Sequence, residues 1–112
     1  VQKIKAHIIE ISIQDLKKLL ESQQAFYLID VRENDEWIAG HIPKALHLSK
    51  GIIERDIEGI VTDPHTPIVL YCRGGFRSAI AAEALQRMGY KNVISLHSGF
   101  SAWLNAGYPI EK

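Results

Sequence analysis

The sequence predicts an α/β fold, with a mainly parallel sheet of about five strands and helices on both faces. Three observations lead there. Short runs of continuous apolar residues, rich in Ile, Val and Leu, recur along the chain. Segments with apolar residues at helical spacing lie between them. Strands that are apolar at every position, not at alternate ones, belong to parallel sheets covered on both sides.

The elements follow in order. Residues 8–11 read as a short strand, and Ser12 then offers a hydroxyl to an orphan helical N–H, with Asp15 three residues on, close to a capping box. Ile13, Leu16, Leu19 and Leu20 fall on one face of the helix that follows. Residues 26–29 form the next strand, residues 33–39 a short helix stopped by Gly40, and residues 45–48 another strand. Residues 52–60 suit a weakly amphipathic helix, and Pro64 and Pro67 punctuate the loop after it. Ile68-Val69-Leu70-Tyr71 is apolar throughout, with no internal breaker. Residues 78–88 carry Ile80, Ala81, Ala84, Leu85 and Met88 on one helical stripe, with Gly89 as the stop. Residues 93–96 close the strand series, and residues 100–106 form a helix ended by Gly107.

The chain has 112 residues, 46% hydrophobic and 23% charged, which suits one globular domain over residues 1–112. Lys+Arg and Asp+Glu are both 13, so no bulk charge draws nucleic acid or an anionic membrane, and neither is expected as a partner. A single cysteine excludes an intrachain disulfide framework and any multi-cysteine zinc or iron–sulfur site. No apolar run approaches the ~20 residues of a membrane span, and no basic-then-apolar leader pattern opens the sequence. A reducing, cytoplasmic setting is the expectation. His7, His41, His47, His65 and His97 show no metal-ligand spacing, so neither metal nor cofactor is expected.

In open α/β sheets, chemistry sits where strands end and helices begin. Two such loops stand out: Asp30-Val31-Arg32, and Cys72-Arg73-Gly74-Gly75-Phe76-Arg77. A lone cysteine is more often an inert buried hydrophobe than a nucleophile. The neighbours of Cys72 reverse that balance. Gly74 and Gly75 allow successive N–H groups to turn toward one point, and a helix beginning near Ser78 adds its partial positive charge there. Arg73 and Arg77 add two full charges, and no acidic residue intervenes before Glu83. Each feature favours an anion at sulfur, so Cys72 is expected to be a thiolate at neutral pH.

Such a thiolate suits either phosphoryl transfer or sulfur transfer through a persulfide. A cysteine-phosphatase loop places five residues between cysteine and arginine. Here position 78 is Ser78, and Arg77 follows Cys72 after four. The shorter loop closes a tighter ring of donors, better matched to one terminal sulfur than to a tetrahedral phosphate.

At this point the sequence resembles a single-domain rhodanese, of the thiosulfate sulfurtransferase family. Leu28-Ile29-Asp30-Val31-Arg32-Glu33, Glu36-Trp37 and Gly40-His41-Ile42-Pro43 with Ala45 resemble its N-terminal signature. Residues 68–77 resemble its active-site strand and loop, and Val93-Ile94-Ser95-Leu96 with Gly99 and Trp103 its C-terminal signature. Lys44 and Ser98 depart from the pattern, standing where the family commonly has glycine. The resemblance implies a three-layer rhodanese-like fold and a double displacement through a Cys72 persulfide. It implies a small anionic sulfur donor such as thiosulfate and a thiophilic acceptor such as cyanide, a thiol or a protein. Substrate would meet Arg73, Gly74, Gly75, Phe76, Arg77 and Ser78. Arg32 either joins them or forms a structural ion pair with Glu36 or Asp30. Asp30, Glu36 and His41 are expected to support the loops, and Trp37 and Trp103 to pack.

Overall fold

A computed structural model describes residues 8–49 and 51–112. His7 therefore lies outside the described residues. The strands are β1 (Ile9–Ile11), β2 (Tyr27–Asp30), β3 (Leu46–His47), β4 (Ile68–Tyr71) and β5 (Val93–Leu96). The helices are α1 (Ile13–Glu21), α2 (Asn34–Ala39), α3 (Ile53–Ile60), α4 (Phe76–Arg87) and α5 (Gly99–Asn105). All pairings in the five-stranded sheet are parallel, in the order β1-β5-β4-β2-β3.

Alternation along the strands divides the core into two faces. Ile68 and Leu70 of β4 pack with Ile53 and Ile57 of α3 and with Ala81, Ala82 and Leu85 of α4. Val69 and Tyr71 face the other way, onto Ile13 and Leu16 of α1 and Phe100 and Trp103 of α5. The result is three layers. All four residues of β4 are buried, as a central strand covered on both sides requires.

Element ends differ from expectation where the backbone has local reasons. Ser12 caps α1 as expected, its Oγ accepting the Asp15 N–H at 3.1 Å. Helix α4 begins at Phe76, two residues before the expected start, because left-handed Gly75 (φ 95°) turns the chain straight into the first helical turn. Strand β3 is only two residues long and follows a turn in which Lys44 takes φ 71°.

The sheet order fixes where a site can form. From β2 the chain runs outward to the edge strand β3, whereas from β4 it runs the opposite way to β5. The carboxyl ends of the adjacent strands β2 and β4 therefore flank a topological switch point, the usual crevice for ligands in open α/β sheets.

Candidate active site

Asp30 ends β2 and Cys72 follows β4, so both loops singled out in the sequence open at this crevice. Cys72 itself is only 1% exposed, at the foot of its loop. Its Sγ accepts the backbone N–H of Gly75 at 3.1 Å and of Ser78 at 3.4 Å, and lies 3.6 Å from the Ser78 hydroxyl. Burial pushes the thiol up, but hydrogen bonds from the Ser78 hydroxyl and from the amides of Ser78, Gly75 and Gly74 outweigh it. The net effect holds Cys72 below the ordinary thiol value.

The amides point inward because the carbonyls are held elsewhere. At the start of α5, the Phe100 N–H donates to the Cys72 carbonyl at 2.8 Å and the Ser101 N–H to the Arg73 carbonyl at 3.0 Å. Gly99 makes this approach possible. A Cβ there would stand 2.4 Å from the Cys72 carbonyl oxygen and 2.6 Å from that of Arg73, distances at which the backbone has to move.

The two arginines of the loop part company. Arg73 is exposed and lines a groove of about 400 Å³ together with Phe100 and Leu104. Arg77 is not a free charge. Its two terminal nitrogens donate to Glu36 of α2 at 2.8 and 3.0 Å, a bidentate pair across the crevice. The Arg77 guanidinium brings Glu36 down from the ordinary 4.5 to about 2. The sequence expectation of two uncompensated charges at sulfur thus needs correcting. One of them is balanced, and hydrogen bonds from amides and a hydroxyl act on the sulfur directly.

Arg32 takes the structural partner anticipated for it. Its Nε lies 3.0 Å from both Asp30 carboxylate oxygens, and its terminal nitrogen donates to Asp30 at 2.7 Å and to the Gly40 carbonyl at 2.6 Å. The guanidinium also lies 4.2 Å from the centre of the Phe100 ring. Both members of this pair are buried, so Arg32 joins the end of β2 to the end of α2 and to α5.

Phe76 begins α4 and is 46% exposed. His41 stacks on Trp37 at 3.6 Å, approaches the Trp37 carbonyl through Nδ1, and pairs with Glu111 by two backbone hydrogen bonds. Trp37 also carries His47 on a stack at 5.0 Å, while Trp103 is buried. Sequence reasoning missed Ser95. Its hydroxyl lies 2.7 Å from that of Ser78, and both residues are fully buried. The available signal was one polar residue inside the apolar run Val93-Ile94-Ser95-Leu96.

Comparison with known proteins fits this geometry. The Rhodanese-like domain family matches residues 12–106. The chain belongs to the rhodanese-like family. It is 38% identical to the putative sulfurtransferase YtwF of Bacillus subtilis, over 84% of this chain and 88% of that one. It is 30% identical to thiosulfate sulfurtransferase GlpE of Vibrio cholerae, over 94% and 96%. Among solved structures, a Rhodopseudomonas palustris protein of unknown function, RPA3614, described as a possible tyrosine phosphatase, superposes with a TM-score of 0.88. It shares 32% identity, over 98% of this rhodanese-like chain and 89% of its own.

Proposed function

We propose that this rhodanese-like chain is a sulfurtransferase. It moves sulfane sulfur from thiosulfate, or a similar small anionic donor, to a thiophilic acceptor through a persulfide on Cys72. The carrying observation is the convergence of the Gly75 and Ser78 amides and the Ser78 hydroxyl on one sulfur at the foot of β4. Cys72 thiolate attacks the outer sulfur of thiosulfate, and a new S–S bond forms as the old one breaks. Sulfite departs with the bonding electron pair. The acceptor then attacks the outer sulfur of the persulfide, and Sγ leaves again as thiolate.

Each named residue takes a part in this reading. The loop amides and the Ser78 hydroxyl stabilise the anion on Cys72 and then the persulfide. Exposed Arg73 meets the dianionic donor, a task suited to a guanidinium fork. Arg77, braced by Glu36, lends its field from the side, and Phe76 forms the rim. Arg32 with Asp30, and His41 with Trp37, hold the surrounding loops in place. The acceptor is a small thiol or a dedicated protein, in a reducing, cytoplasmic setting. No helix among the described residues is long and apolar enough to cross a membrane.

The description of the R. palustris neighbour raises phosphoryl transfer, and two observations weigh against it. Only four residues separate Cys72 from Arg77. The Arg77 fork that would clamp phosphoryl oxygens is occupied by Glu36. Turnover with thiosulfate and cyanide tests the reading. Thiocyanate is expected from the parent and is lost in Cys72→Ser, with an aryl phosphate left intact by both. Aryl phosphate hydrolysis without thiocyanate would overturn it.

A further inference from the structure

Ser95 is a buried hydroxyl on a mainly apolar face of the sheet. Strand parity puts Val93 and Ser95 on the side of the sheet where Ala81, Ala82 and Leu85 of α4 pack. A hydroxyl buried there costs free energy unless it is paired, and Ser95 has the Ser78 hydroxyl at 2.7 Å. Ser78 in turn has Cys72 Sγ at 3.6 Å. Sulfur, Ser78 and Ser95 therefore form one chain that crosses from the cysteine loop to β5.

A hydroxyl has a single proton to donate. When Cys72 carries its proton, the thiol donates to Ser78 Oγ, and Ser78 is free to donate onward to Ser95. When sulfur is anionic, Ser78 has to donate to sulfur, and its oxygen is then served by a donor on the far side. We infer that Ser95 is a positioning residue for the reacting cysteine: by donating to Ser78 Oγ it commits the only Ser78 proton to the sulfur anion. Donation into Ser78 also polarises the bond from Ser78 to sulfur, which strengthens it. The charges near Cys72 are Arg73 on its own loop and Arg77 of α4, the latter paired with Glu36 of α2. Asp30 and Arg32, beside β4, are paired with each other. Strand β5 and helix α5 contain no Asp, Glu, Lys or Arg. Beyond β5, Glu10 of β1 stands in register with Ser95, its carboxylate 3.7 Å from His97 Nδ1, and is the titratable group facing Ser95 from that strand.

This inference rests on Cys72 being the reacting group, but its test needs no sulfur donor. Cys72 is the only cysteine in the chain, so the rate of iodoacetamide alkylation against pH reports its ionisation alone. Ser95→Ala is expected to move the midpoint up by about 0.5 unit, and Ser78→Ala by about 1 unit or more. The double variant is expected to titrate with Ser78→Ala, because Ser95 works only through Ser78. A Ser95→Ala midpoint equal to the parent's, or an effect adding in full to that of Ser78→Ala, would overturn the assignment. Should Ser95→Ala fail to fold, Ser95→Thr and Ser95→Val make the comparison at matched volume. The threonine is expected to titrate lower, and equal midpoints contradict the relay. A parent that never gains sulfur but keeps a Ser95-dependent midpoint would sink the sulfurtransferase reading and leave this one standing.

Discussion

Lys44 and Ser98 hold left-handed backbone, with φ of 71° and 63°, and among the described residues they are the only non-glycines with positive φ. Both side chains are exposed. These are also the two positions where glycine was expected from the family pattern. The turns persist without glycine, at a steric cost to each L-residue. Lys44→Gly and Ser98→Gly are each expected to stabilise the fold by about 0.5–1 kcal/mol, the relief of strain exceeding the extra backbone entropy of glycine. Denaturant midpoints measure this, and a loss of stability in both variants would contradict the strained turns. Arg32 poses the opposite case. Arg32→Met removes one member of a buried pair and strands Asp30, so it is expected to cost about 3–5 kcal/mol. A variant with parental stability and weakened donor saturation would make Arg32 a substrate ligand instead of a brace.

At the scale of elements, the Glu36–Arg77 pair ties α2 to α4 across the mouth of the crevice. The folded-state value for Glu36, about 2, lies below its ordinary 4.5. The stability this pair adds is therefore complete above about pH 4.5 and lost as pH falls toward 2. After allowance for partial exposure, Glu36→Gln is expected to cost about 1–2 kcal/mol at neutral pH and little near pH 2. Denaturant unfolding at both pH values checks this, and a constant difference across the range would contradict the pairing. This tie also marks the limit of what the sequence discloses. The strands near residues 8–11, 26–29, 68–71 and 93–96 were legible because each is a short run made wholly or mostly of apolar residues, and the cysteine loop because its chemistry is contiguous. The partners were less so. Glu36 and Arg77 are 41 residues apart, and no local spacing joins them. Ser95 was read as part of a strand because only the folded sheet brings β5 and α4 together.

For the molecule as a whole, the sheet order places β2 and β4 side by side with their connections departing in opposite directions. That arrangement opens the crevice, and α5 closes one wall by taking the loop carbonyls of Cys72 and Arg73. The fold thus converts a glycine-rich segment into a set of donors facing a single sulfur, with its charge balanced at a distance. The most direct measurement of that claim is the intact mass of the protein after thiosulfate, and again after cyanide. The parent is expected to gain one sulfur atom and lose it to cyanide, while Cys72→Ser gains none. An unchanged parent mass under saturating thiosulfate, or a gain that survives in Cys72→Ser, would contradict the account.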